Sequence, residues 1–204
     1  MESGGKTFRT LTAPSGPVEF RERKSKFLGV AYPVDSTEQA REQVAALWQE
    51  FPDATHICYA YRIGSDLPEI RMNDDGEPSH SAGAPIFGQI ESFDLMDVLV
   101  CVIRYYGGTK LGVGGLIQAY RDAARRCLEH GRIVTRIPKA VLSLGFTYAD
   151  LDAVLRIIDQ NRFNVVRREM ALSCRIDLEV PVEETERVRN AFGPVPGVTI
   201  NDKG

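Results

Sequence analysis

The chain has 204 residues, 43% of them hydrophobic and 26% charged, with a net charge of −3. That length holds one large domain or two small ones with ample core, and the charge excludes a protein that coats nucleic acid indiscriminately while leaving room for a local basic patch. Cys58, Cys101, Cys127 and Cys174 stand far apart with no C-x-x-C pair, which excludes a disulfide framework and a zinc knuckle. No apolar run approaches membrane-spanning length and the first residues have no apolar signal region, so the expectation is a cytoplasmic protein without membrane contact.

Residues 1–17 are rich in Gly, Ser, Thr and Pro and are expected to be a loose lead-in. Residues 18–34 mix Phe20, Phe27, Leu28, Val30 and Tyr32 with the cluster Arg21, Glu22, Arg23 and Lys24, and read as one strand or two short ones with the charges solvated. Residues 36–51 predict a helix. Ser36 and Gln39 have capping-box spacing, Pro52 ends it, and Ala40, Val44, Leu47, Trp48 and Phe51 form the apolar stripe, which makes Trp48 a core residue.

Residues 54–63 alternate as a strand, with Ile57, Tyr59, Tyr61 and Ile63 on one face and His56, Cys58, Ala60 and Arg62 on the other. His56 and Cys58 then lie about 7 Å apart at Cβ, too far for a thiolate–imidazolium pair. No neighbouring residues complete a metal set, so both read as structural. Residues 71–85 are polar and turn-rich. Asp74, Asp75 and Glu77 flank Gly76, but an EF-hand alignment would put Arg71 and Ala82 at ligand positions and fails. The loop could hold Mg²⁺ weakly, pair with a basic loop, or be a solvated connection.

Residues 97–129 combine an apolar run, a glycine loop and an amphipathic segment. Val98 to Ile103 suits a strand buried on both faces. Leu116, Tyr120, Ala123, Ala124, Cys127 and Leu128 share one helical face. Five of the nine residues at 107–115 are glycine, and between 104 and 126 five basic residues meet only Asp122. A strand–glycine loop–helix unit presents N–H groups and a helix N-terminus to an anion. Thr109 before Lys110 breaks the P-loop pattern and Ile117 breaks the dinucleotide fingerprint. On spacing alone, phosphate binding and tight packing stand equal.

Beyond Pro138 the pattern predicts strand 140–147, helix 150–160 capped by Asp150, strands 163–170 and 172–180, helix 183–192 and strand 197–201. This βαββαβ order is the ferredoxin-like, split-βαβ pattern. It carries no catalytic grouping and reads as a binding or scaffolding module.

Several motifs in fixed order bear a resemblance. They are Asp75-Gly76-Glu77-Pro78-Ser79, then Ala82-Gly83-x-Pro85-Ile86, then Arg104-Tyr105-Tyr106-Gly107-Gly108-x-Lys110-Leu111-Gly112-x-Gly114-Gly115-Leu116. Upstream stand Lys24-Ser25-Lys26-Phe27, Pro33-Val34 and His56-x-Cys58-x-Ala60-Tyr61-Arg62. Together they resemble the IMPACT/YigZ family over essentially the whole chain. Four positions depart from its pattern. His80-Ser81 stands where Gly-Thr is usual, Tyr106 replaces the common Phe, and Gln118 stands where Arg is frequent.

The resemblance implies an α+β protein. Residues 1–138 would be an N-terminal domain similar to domain 2 of ribosomal protein S5, a fold shared with translation factors and some small-molecule kinases. Residues 139–204 would be a ferredoxin-like domain similar to one of elongation factor G. Eukaryotic members regulate translation through a protein partner that is not carried over to this chain. The expected function is that of a non-enzymatic, translation-linked protein contacting structured RNA or the ribosome, with no cofactor or bound metal. Arg104 and Lys110 would contact phosphate, supported by Arg121 and Arg125. Gly107, Gly108, Gly112, Gly114 and Gly115 would admit the backbone. Asp75 and Glu77, with Ser79 beside them, would hold the basic loop or help coordinate a metal. The alternatives are an enzyme or sensor for a small phosphorylated ligand at this loop, and a protein-interaction module in which the loop only packs.

Overall fold

The computed structural model describes residues 7–64, 67–171 and 173–203. The chain forms two compact units, one spanning Phe8–Arg136 and one containing Ile137–Gly204. The fold is α+β throughout.

The first unit runs β1 (Phe8–Leu11), β2 (Ser15–Glu22), β3 (Ser25–Pro33), α1 (Thr37–Glu50), β4 (His56–Ile63), β5 (Glu69–Asn73), α2 (Gly83–Ser92), β6 (Val98–Tyr105), α3 (Gly112–His130) and β7 (Ile133–Arg136). Strands β2-β3-β6-β4-β5 form an antiparallel five-stranded sheet. The apolar run at 98–103 is its central strand. Val98, Val100 and Val102 face the core shared with α2 and α3, while Leu99, Cys101 and Ile103 face the core under α1. Alternation on β4 divides as the sequence predicts, with Cys58 and Ala60 in the first core and Ile57, Tyr61 and Ile63 in the second.

Three expectations are corrected here. Residues 8–11 are not loose, because β1 pairs with β7 in a separate two-stranded sheet, and β2 begins at Ser15; residues 1–6 of that lead-in lie outside the described residues. Trp48 is 37% exposed, because Ala40, Val44, Leu47 and Phe51 already fill the line along which α1 meets the sheet. The stretch 71–85 is not all loop: it contains the end of β5 and the start of α2.

Local chemistry fixes several joints. Arg23 and Lys24 both take positive φ and turn β2 into β3. Ser36 caps α1 by accepting from the Gln39 N–H at 3.4 Å, while Gln39 Oε1 accepts from the Asp35 N–H at 3.1 Å. Gly107 has no space for a side chain, since a Cβ there would strike the Lys24 carbonyl.

The second unit runs β8 (Lys139–Phe146), α4 (Leu151–Asn161), β9 (Asn164–Glu169), β10 (Cys174–Pro181), α5 (Thr185–Phe192) and β11 (Thr199–Lys203). Its antiparallel sheet has the order β11-β8-β10-β9, which with this βαββαβ succession is the ferredoxin-like topology. Leu142, Leu144, Ile176, Leu178 and Val180 pack against Val154, Ile158, Val188 and Phe192 of the helices. Asp150 occupies the cap position of α4 without a side-chain cap; its carboxylate accepts instead from Thr147 at 2.8 Å. No helix among the described residues is long and apolar enough to cross a membrane.

Candidate functional site

At one end of the five-stranded sheet, β4 and β6 place His56 directly across from Arg104. The loop from Asp74 to Ala82 folds over this end, and α3 brings Tyr120 beneath it. Glu77 accepts from Arg104 Nη1 and, at 2.7 Å, from the Tyr120 hydroxyl. Both ends of the ion pair are buried, with side chains 5% and 6% exposed. Arg104 lies over the rings of Phe27 and Tyr106, each 5.5 Å away. Its Nη2 reaches Ser25 Oγ at 3.5 Å, and that oxygen also accepts from the Gly107 N–H at 3.2 Å. Arg104 therefore ties the acidic loop to the glycine loop. The expectation of a guanidinium free to meet phosphate is corrected, because Glu77 holds it inside the wall.

The acidic loop is held by its own carboxylates. Asp74 accepts from the backbone N–H groups of His80, Ala82 and Gly83 at 2.8–3.0 Å. It thereby serves as the missing cap of α2, whose own N-cap, Ala82, has no side chain for the task. Burial works to raise the Asp74 pKa, but those three donors and nearby His80 outweigh it and hold it below the usual carboxylate value. Asp75 Oδ2 accepts from the Ile57 N–H at 2.7 Å, and its carbonyl lies 2.7 Å from His56 Nδ1. Asp75 thus holds β4 and the imidazole, whereas Glu77 holds the basic loop. Ser79 is exposed and is not among the cavity's lining residues. Among the described residues no group of three or more His, Cys, Asp or Glu is placed to hold a metal ion.

Cys58 does not pair with His56. Its thiol reaches the Asp74 carbonyl at 3.0 Å and the Tyr120 hydroxyl at 3.4 Å. Burial drives its pKa far up, only partly opposed by the Tyr120 contact, and the charges of Glu77, Asp75 and Asp74 add to the rise. The Tyr120 hydroxyl is likewise raised, by burial first and then by Cys58 and Glu77. Neither group is an accessible nucleophile.

Between these loops lies a cavity of about 480 Å³ whose wall includes His56, Glu77, Arg104, Tyr106, Lys110 and Gly112. Lys110 and Tyr106 are exposed. The glycines divide by role. Gly107 is a close approach to the β2–β3 turn, and Gly108 and Gly112 take φ of +80° and +75°. Gly112, Gly114 and Gly115 belong to the first turn of α3, not to a loop preceding it. That N-terminus begins at Leu111 with no side-chain cap. Arg121 and Arg125 are not among the cavity's lining residues; Arg125 pairs with Glu129 at 2.8 Å and Arg121 reaches Gln118 at 3.4 Å on the exposed side of α3.

Sequence reasoning missed His56 and Tyr120 as members of this assembly. One signal was present: His56 falls opposite Arg104 once β4 and β6 are paired as neighbours. Tyr120 gave none, since its spacing places it with the core residues of α3.

A model of the Impact N-terminal domain matches residues 23–128 of the chain, which contain the whole site. The IMPACT family member YvyE of Bacillus subtilis is 33% identical over 178 residues, covering 87% of this chain and 80% of that protein. The IMPACT family member YigZ of Escherichia coli is 32% identical over 151 residues, covering 72% and 74%. The crystal structure of a hypothetical protein superposes with a TM-score of 0.75 at 24% identity, over 97% of this chain and 98% of that one, a likeness of fold.

Proposed function

The chain belongs to the IMPACT/YigZ family, and from that premise we propose that it is a translation-linked binding protein that meets RNA or the ribosome at the cavity beside the glycine loop. The observation that carries this reading is the uncapped N-terminus of α3, which opens on the same cavity as Lys110 and the exposed ring of Tyr106. A helix N-terminus and an ammonium hold phosphate, and an exposed aromatic ring beside them offers a base a stacking surface. The net charge of −3 argues against indiscriminate nucleic-acid binding over the rest of the chain. Family membership further supports residues 1–138 as an S5 domain 2-like domain and residues 139–204 as a relative of an elongation-factor G domain.

The test is a fluorescence-anisotropy titration of a structured RNA at two salt concentrations, with Lys110→Ala beside the wild type. Lys110 is the informative position because Arg104 is built into the wall. The variant should bind more weakly, with the slope of log K against log salt reduced by about one. Equal affinity and equal slope would move the contact off this loop.

A second reading rests on the cavity's volume of about 480 Å³, which lies within the usual range for small-ligand sites. There the ligand is a small phosphorylated molecule. Saturable stabilisation by a mononucleotide, with displacement of the RNA probe, would favour it.

A further inference from the structure

The cavity wall carries both donors and acceptors. The N-terminal N–H groups of α3 and the Lys110 ammonium can only donate. The Glu77 carboxylate, paired with Arg104, and the His56 imidazole, 3.9 Å from it, form the acceptor pair. Since a carbonyl oxygen can only accept, the 2.7 Å contact with Asp75 O fixes the proton of the neutral ring on Nδ1. Nε2 is left with its lone pair. It lies 3.9 Å from Glu77 Oε1, beyond hydrogen-bond reach, and makes no hydrogen bond among the described residues. The His56 side chain is 22% exposed, so a ligand in the cavity can reach that nitrogen.

Much of the loop's geometry serves this one ring. Asp75 and Gly76 take positive φ, of 46° and 85°, which aims the Asp75 carbonyl at Nδ1 while its carboxylate grips Ile57 next in the chain. Gly76 stands against the ring, where an added Cβ would lie 3.6 Å from Cε1. Residues held in sparsely populated backbone regions gather where a side chain must be aimed. Tautomer and direction are both set before a ligand arrives.

Resting on the reading that this cavity takes RNA, we infer that His56 is the residue that distinguishes ribose from deoxyribose, its Nε2 accepting a hydrogen bond from a nucleotide 2′-hydroxyl. Phosphate cannot sit against the Glu77 carboxylate, so it lies at the Lys110 and α3 end. The part of the ligand that reaches the acceptor end must then donate. In a polynucleotide, the donor on the carbon adjacent to the esterified 3′ position is the 2′-hydroxyl, which DNA lacks. Glu77 Oε1 is taken by Arg104 and Tyr120, and the Glu77 side chain is 5% exposed against 22% for His56, which makes His56 Nε2 the more accessible acceptor.

The experiment compares one sequence as RNA, as DNA and as 2′-fluoro RNA, which keeps the RNA-like sugar pucker but cannot donate from the 2′ position. Wild-type protein should bind RNA about five- to tenfold more tightly than 2′-fluoro RNA, the effect of one hydrogen bond. His56→Phe should bind RNA and 2′-fluoro RNA alike, the discrimination lost within the same variant. Retained binding of 2′-fluoro RNA shows that the site is still folded. Wild-type protein binding RNA and 2′-fluoro RNA alike, or a variant that keeps the discrimination, overturns the assignment while the RNA reading stands. If RNA, DNA and 2′-fluoro RNA all fail to bind, both fall together. His56→Gln, with an amide oxygen available as acceptor, should restore part of the discrimination, and no restoration alongside intact 2′-fluoro binding counts against hydrogen bonding as its source.

Discussion

In the first unit Glu77 and Arg104 are both buried, whereas in the second Asp177 is 2% exposed and its partner Lys203 is 44% exposed. Both are carboxylate–cation contacts, but they answer to different physics. Arg104 has left water and is held by Glu77, by Ser25 and by two ring faces. Removing either partner strands a charge in a medium that cannot solvate it. Lys203 remains half in water, so its hydrogen bond to Asp177 is screened, and solvent can replace part of it. The first contact is part of the wall of a cavity. The second steadies one acid on the face of the sheet opposite the helices.

The sharpest way to break this comparison is Arg104→Ala. It should lower the stability of the first unit by about 3–5 kcal/mol, the range for removing one partner of a buried pair. The fluorescence of Trp48, the single tryptophan and a member of that unit, reports its unfolding. A loss below about 1 kcal/mol would put this pair in the same class as the screened one.

An intermediate effect is expected on acidification. The hydrogen bond from Lys203 first, and then the neighbouring Ser143, hold the Asp177 pKa below its ordinary value, against the opposing effect of burial, with the Lys203 and Arg167 charges assisting. A carboxylate whose folded pKa lies below its unfolded value stabilises the fold above the unfolded pKa, about 3.9. That contribution is lost as pH falls through the folded pKa. Lys203→Ala should therefore lower stability near neutral pH by about 1 kcal/mol, discounted for the exposed ammonium. It should also flatten the loss below pH about 4. Hydrogen exchange of β10 amides follows the second unit, and an unchanged acid profile in the variant would detach Asp177 from Lys203. Asp74 carries the same sign in the first unit, where its donors are backbone groups that Lys203→Ala leaves in place.

The smallest effect sharpens the account of the acidic loop. His80 has φ of +63°, a region that favours glycine, and it stands where the IMPACT/YigZ pattern usually has Gly. His80→Gly should keep the N–H donated to Asp74 and relieve the strained backbone, raising thermal stability by about 0.5 kcal/mol. A destabilised variant would show that the imidazole itself matters there.

What could be read directly was whatever repeats along the chain. The alternation of β4, the doubly buried run of β6, the apolar face of α3 and the βαββαβ succession all follow from side chains sorting with strand or helix period, and each stands where that period placed it. Where an element depends on partners distant in sequence, the reading failed. α2 carries no local start signal, because its cap is Asp74, eight and nine residues before the N–H groups it satisfies. Trp48 lies within a correct helix yet outside the contact line. Residues 8–11 form a strand because β7, more than a hundred residues later, pairs with them, and because the segment at Leu95–Met96 bridges Arg9 from the other side.

The same division holds at the site. Sequence by itself determined the family, the two α+β patterns and a short list of polar residues, since those depend on residue identity and spacing. Only the tertiary structure decided which of them remain available. It buried Arg104 against Glu77, turned Asp74 and Asp75 into clamps on backbone N–H groups, left Lys110 and the start of α3 facing the cavity, and set Arg121 and Arg125 outside it. A charge in a sequence has no partner until the fold brings one within hydrogen-bond distance, and that partner decides whether it supports the wall or meets a ligand.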